Sequence, residues 1–230
     1  MRVTTATAVS CRSILDNFGI NQGKLVIYPT HNLILEDVVR EIIRQNGLTE
    51  VYLVPQSRYV RGPVSCLRVE SIYQEKATSA EAVLNNSFEA LREISGEQVL
   101  NLAGMARRGD EEVWIPQLDL EPGAKKIPIG TLTNQIACNL GLGDGFLVDS
   151  GEGLHFWGLQ AVTQRHWEEM WGKVLKRIYG EKRDSDPLCV DNNWVMWFSH
   201  YTPGPYTLRV TNWPGNNKPT PKPIYYCRER

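Results

Sequence analysis

Leu118-Asp119-Leu120-Glu121 sets two carboxylates two residues apart inside an apolar stretch. In an extended strand successive side chains alternate between faces, so Asp119 and Glu121 would project from one side while Leu118 and Leu120 enter the core. Two carboxylates on one rigid face suit Mg²⁺ or Mn²⁺, hard cations that take oxygen ligands, and Asp191 in Val190-Asp191 offers a third. Together they would complete a two-metal arrangement that activates an attacking 3′ hydroxyl and steadies a leaving pyrophosphate. A lone Asp-x-Glu is more often a solvated strand face, so the pair draws its weight from what accompanies it.

Asp149-Ser150-Gly151-Glu152-Gly153-Leu154-His155 is that companion. Gly151 and Gly153 let the backbone turn tightly and approach a ligand, while Ser150 and the backbone amides can donate to phosphate oxygens. His155 would open the next strand, facing the same pocket. On this fragment alone, a Gly-rich hairpin with a partly buried histidine fits equally well.

The order of these fragments resembles the archaeo-eukaryotic primase superfamily, the prim-pol type polymerases that include the polymerase domains of bacterial end-joining ligases. Leu118-Asp119-Leu120-Glu121-Pro122 is similar to the family's acidic pair in a hydrophobic strand, Ser150 to His155 to its small-x-His motif, and Val190-Asp191 to its hydrophobic-Asp motif. Leu208-Arg209-Val210-Thr211-Asn212, followed by Asn217-Lys218, is similar to the Arg-bearing strand and Asn/Lys segment that many members place near the triphosphate. The resemblance implies Asp119, Glu121 and Asp191 as catalytic ligands of Mg²⁺ or Mn²⁺. It implies His155 as a contact to the phosphates of the incoming nucleotide, with Ser150, Gly151, Gly153, Arg209 and Lys218 in the same nucleotide-binding set. Two departures stand out: Gly153 precedes His155 by two where the family commonly has serine, and no Cys/His cluster resembles the structural zinc site of some primases.

The implied activity is that of a primase-polymerase, a metal-dependent nucleotidyltransferase that synthesises or extends DNA or RNA strands from nucleoside triphosphates. Its implied partners are a DNA or RNA template-primer and a helicase, ligase or defence-system protein. The alternatives are a catalytically inactive nucleic-acid-binding relative and a metal-dependent nuclease. The Gly-rich turn with His155 argues for a triphosphate, and so for synthesis.

Composition agrees with a compact enzyme: 230 residues at 42% apolar content can bury a core as one domain or two small lobes. Met1 to Ser10 is polar and threonine-rich, unlike a secretory leader, and no apolar run approaches the length of a membrane span, so a cytoplasmic protein without a membrane partner is expected. Cys11, Cys66, Cys138, Cys189 and Cys227 are scattered without a Cys-x-x-Cys spacing, which disfavours zinc and a disulfide framework; Cys138 reads as a small core residue. A net charge of −1 supplies no global pull on nucleic acid, so binding must rest on local patches. Candidates are Arg58, Arg61 and Arg68, the Arg107-Arg108 and Lys125-Lys126 pairs flanking the acidic strand, and the basic residues from Arg209 to Arg230. Each cluster also fits an ordinary solvated surface.

The elements that must position these residues form an α+β pattern. Leu35, Val38, Val39, Ile42 and Ile43 recur at helical spacing before Gly47, and Val51 to Val54 reads as a strand. A hairpin is predicted over Tyr59 to Tyr73, then a second helix with Leu84, Phe88 and Leu91 on one face, then strands over Val99 to Ala103 and Val113 to Glu121. Leu132, Ile136 and Leu140 suggest a short helix, Phe146 to Val148 and Leu154 to Trp157 two strands, Trp167 to Ile178 an amphipathic helix whose tryptophans serve the core, and Tyr206 to Thr211 a last strand. The predicted organisation is an N-terminal α/β part over 1–100, an RRM-like catalytic module with an open, mostly antiparallel sheet over 101–212, and a Pro-rich basic tail over 213–230 lying extended across the surface.

Overall fold

A computed structural model describes residues 20–22, 25–55, 77–95, 99–120, 122–134, 136, 141–151, 153–170, 207–212 and 219–229. The helix α1, Leu35–Asn46, buries Leu35, Val38, Val39, Ile42 and Ile43, the stripe that its apolar period dictates. The Asp37 carboxylate accepts the Ile34 backbone N–H at its start, and Gly47 closes it in the left-handed conformation at φ 58°. Asn46 in the last turn ties the helix to residues 159–161: its side-chain amide donates to Leu159 O at 2.9 Å and accepts from Ala161 N at 2.7 Å.

One six-stranded sheet runs in the order β1-β2-β11-β8-β9-β7. Its strands are β1 (Ile20–Gln22), β2 (Leu25–Pro29), β7 (Gln117–Leu120), β8 (Gly145–Asp149), β9 (Leu154–Gly158) and β11 (Lys222–Glu229). A second sheet runs β10-β5-β3-β4, with β6 also paired to β5; these are β3 (Glu50–Pro55), β4 (Thr78–Ser79), β5 (Leu100–Arg108), β6 (Glu111–Trp114) and β10 (Thr207–Arg209). Every one of these pairings is antiparallel, and with α1, the short helices α2 (Ala80–Asn85), α3 (Phe88–Ser95) and α4 (Ile129–Asn134), and a 3-10 turn over Pro122–Lys126, the fold is α+β. Among the described residues no helix is long and apolar enough to cross a membrane.

Three expectations change. The strand predicted over Val113 to Glu121 is two strands in two sheets. Pro116 has no N–H to give a ladder, so the chain leaves β6, lets Pro116 O accept from Gly158 N at 2.7 Å, and continues as β7 beside β9. The helix predicted through Leu84, Phe88 and Leu91 is α2 and α3, divided where Asn86 turns extended and the Ser87 hydroxyl accepts from Ala90 N as a cap. The tail enters the six-stranded sheet as β11, between β2 and β8. Its prolines favoured a surface path, but Tyr226 and Cys227 are buried, and a register shift between Pro223 and Tyr225 accommodates the proline.

Strand pairing therefore runs across the three predicted spans. β2 and β11, from the two ends of the chain, are joined in one sheet with β7, β8 and β9, and Gln117 Nε2 in β7 reaches Leu102 O in β5 at 3.4 Å to link the sheets. The predicted hairpin at 59–73, Cys138 and the predicted helix beyond 170 lie outside the described residues. Within 164–170, Trp167 is buried and stacks on Trp114 at a centroid distance of 6.0 Å, a core role as its apolar stripe suggests.

Candidate active site

Alternation along β7 buries Leu118 and Leu120 and leaves Asp119 outside, with its side chain 48% exposed. Asp119 faces His155 directly across the ladder, since the two are Cα partners of β7 and β9. His155 Nε2 lies 3.6 Å from Asp119 Oδ1, while the imidazole itself is buried. Among the described residues Nδ1 of His155 meets no hydrogen-bond partner.

Burial, and secondarily the Arg209 guanidinium, push the His155 pKa from 6.5 down to about 3, against an opposing pull from Asp149. The Asp119 carboxylate is too solvated to restore the charge. At neutral pH the ring is uncharged, so His155 itself places no cation beside Asp119.

The turn joining β8 to β9 is closed by its own groups. Asp149 Oδ1 accepts the Gly151 N–H at 2.8 Å, the Ser150 N–H donates to Gly153 O at 3.2 Å, and the Ser150 hydroxyl accepts the Gly153 N–H at 3.3 Å. Gly151 adopts φ 97°, a conformation that L side chains rarely take. Ser150, Gly151 and Gly153 were expected to offer amides to phosphate; here those N–H groups are engaged within the turn. Lys125, on the 3-10 turn that follows the acidic strand, donates to Asp149 Oδ1 at 2.6 Å and to Gly151 O at 2.9 Å. Nothing in the sequence links Lys125 to Asp149, because residues 24 positions apart meet only once β7 and β8 flank β9.

Arg209 in β10 is brought to the same place, buried at 9% exposure. Its Nη1 donates to Thr211 O at 2.6 Å and to Pro219 O at 2.8 Å, and its Nη2 to Ser150 O at 2.6 Å. Expected as a phosphate grip, Arg209 directs these N–H groups at backbone carbonyls. Glu121, Asp191 and Lys218 lie outside the described residues.

Asp119 fits a hard divalent cation: it supplies a half-exposed carboxylate oxygen beside an uncharged ring. Among the described residues no three His, Cys, Asp or Glu side chains gather closely enough to hold a metal by themselves.

Fold and site together describe an α+β protein with an aspartate and a neutral histidine side by side on antiparallel strands, next to a Gly-rich turn. The family model for archaeo-eukaryotic primase 1D-like (AEP-like) domains matches residues 75–222, from the approach to β4 to the first residue of β11, and the chain belongs to that family. It is a family of primase-type nucleotidyltransferases, typically metal-dependent, whose substrates are nucleotides and nucleic acids. No curated protein and no solved structure matches the chain.

Proposed function

We propose that the chain is a metal-dependent prim-pol nucleotidyltransferase that adds nucleotides from nucleoside triphosphates to a DNA or RNA strand. Asp119, Glu121 and Asp191 would hold Mg²⁺ or Mn²⁺, which when bound neutralises triphosphate charge and favours the ionised form of the attacking hydroxyl. In the reaction the strand's 3′ oxygen bonds to the α-phosphorus and pyrophosphate leaves. The chain's own contribution is largely positioning: the β8–β9 turn and His155 orient the triphosphate, and Lys218 adds positive charge beside it.

The observation that carries this reading is the Asp119–His155 pair, in register on adjacent strands with 3.6 Å between Oδ1 and Nε2. An uncharged imidazole can hydrogen-bond a phosphate oxygen or a sugar hydroxyl without drawing the metal-binding carboxylate into an ion pair. Incubating the chain with labelled nucleotides, Mg²⁺ or Mn²⁺, and primed or unprimed templates tests it. Incorporation that Asp119→Ala abolishes is expected. Shortened strands would instead indicate a nuclease, and strand binding without any turnover a non-catalytic binder; either result overturns the proposal.

A further inference from the structure

We infer that Arg209 is a positioning residue that fastens the β8–β9 turn to β10 and to the segment entering β11, so that the turn is assembled before a nucleotide arrives. The inference rests on the nucleotidyltransferase reading only for what the turn then does.

Three carbonyls from three segments converge on one buried guanidinium: Ser150 O in the turn, Thr211 O just after β10, and Pro219 O just before β11. A buried charge is tolerated only when its N–H groups are matched by acceptors, and these bonds, at 2.6, 2.8 and 2.6 Å, supply that match. The geometry uses both ends of the planar fork, since Nη1 serves Thr211 and Pro219 while Nη2 alone serves Ser150. The segment at Pro219 also lies against the turn itself: a Cβ built on Gly151 would come within 3.5 Å of Pro219 Cδ.

A second cation holds the turn independently. Asp149 pairs in register with Leu154, not with His155, so strand alternation sets it on the opposite face of the sheet, where Lys125 bridges Asp149 Oδ1 and Gly151 O. With Arg209 bonding Ser150 O and Lys125 bonding Asp149 Oδ1 and Gly151 O, the turn has little of the freedom that a loop closing over its ligand would need. Moving Arg209 onto a triphosphate would take the donor away from Ser150 O, Thr211 O and Pro219 O together, which is costly for the carbonyls held away from water.

The test is amide hydrogen exchange on the full chain without nucleotide, for the wild type, Arg209→Lys and Arg209→Met. The Gly151 and Gly153 amides should be protected in the wild type, and adding a nucleoside triphosphate with Ca²⁺ should change their exchange by less than about threefold. In both variants these two amides should exchange at least about tenfold faster while Phe146 and Phe156 keep their protection. A lysine cannot reproduce the fork, so Arg209→Lys should fail to rescue nucleotide affinity, whereas a charge that merely attracts phosphate would be largely restored by it. Unprotected turn amides in the free wild type, unchanged turn exchange in the variants, or nucleotide affinity restored by Arg209→Lys would each overturn the inference. If Arg209→Met does not fold, the turn exchange of Arg209→Lys decides it. Failure of the wild type to bind any nucleotide would sink the functional reading alone, because exchange in the free protein still decides whether Arg209 holds the turn.

Discussion

Lowering the pH from about 7 to about 5 should destabilise the wild type by about 2 kcal/mol more than it destabilises His155→Gln. In the unfolded chain His155 takes up a proton with its ordinary pKa of 6.5, whereas burial and the nearby Arg209 hold the folded value near 3. The unfolded state therefore binds more protons throughout that window. The stability this neutral histidine contributes is fully present above about pH 6.5 and is lost as the pH falls toward 3. At about pH 5 the unfolded imidazole is some one and a half units below its pKa, and at about 1.4 kcal/mol per unit the linkage is about 2 kcal/mol. Urea unfolding at the two pH values reads this as a midpoint lowered by roughly 1 M more in the wild type than in His155→Gln, for a slope typical of small proteins. Other carboxylates and histidines titrate in both proteins, so the difference between their slopes isolates His155. Equal slopes would refute the reasoning, because they would mean that the imidazole is solvated, or pairs as a cation with Asp119 strongly enough to offset its burial.

Asp119→Ala should reduce nucleotide incorporation by at least about a hundredfold while shifting the thermal midpoint by no more than a degree or two, since a half-exposed carboxylate contributes little to folding; an intact rate would remove Asp119 from the site. Gly151→Ala should cost about 1–3 kcal/mol in urea unfolding, because φ 97° is strained for any residue with a Cβ whatever space is available. A Gly151→Ala protein as stable as the wild type would show that the turn is free to adopt another conformation.

Local periodicity made part of this structure legible. The α1 stripe, the alternation that buries Leu118 and Leu120 around an exposed Asp119, and the β8 and β9 strands around a glycine turn each depend on residues within a few positions of one another. Pro116 and the Asn86-Ser87 pair interrupt elements expected to run straight through them, because the outcome there depends on tertiary partners: Pro116 lies where the chain changes sheets, and Ser87 caps a new helix. The place of β11 was hidden for a different reason. Its neighbours β2 and β8 lie far away along the chain, and a proline-rich approach carries no record of which edge it will meet. The environment of Arg209 was hidden in the same way, since its acceptors are backbone carbonyls that every residue possesses. Strand alternation gives its direction but not that Ser150 O and Pro219 O are waiting there.

Arg209 also ties the shape of the turn to the charge of the ring. The guanidinium that accepts its place by bonding Ser150 O is the second cause, after burial, of the low His155 pKa. Removing that charge and admitting water at its position would weaken both causes together, because the imidazole would lose a repelling cation and part of its desolvation. In an Arg209 variant the ring would consequently be more easily protonated, and a protonated His155 at 3.6 Å would compete with a divalent cation for the Asp119 carboxylate. The pH difference defined by His155→Gln should accordingly be smaller when measured in an Arg209→Met background than in the wild type. A difference of equal size in both backgrounds would show that burial alone sets the state of the ring, and that the turn and the histidine answer to separate parts of the fold.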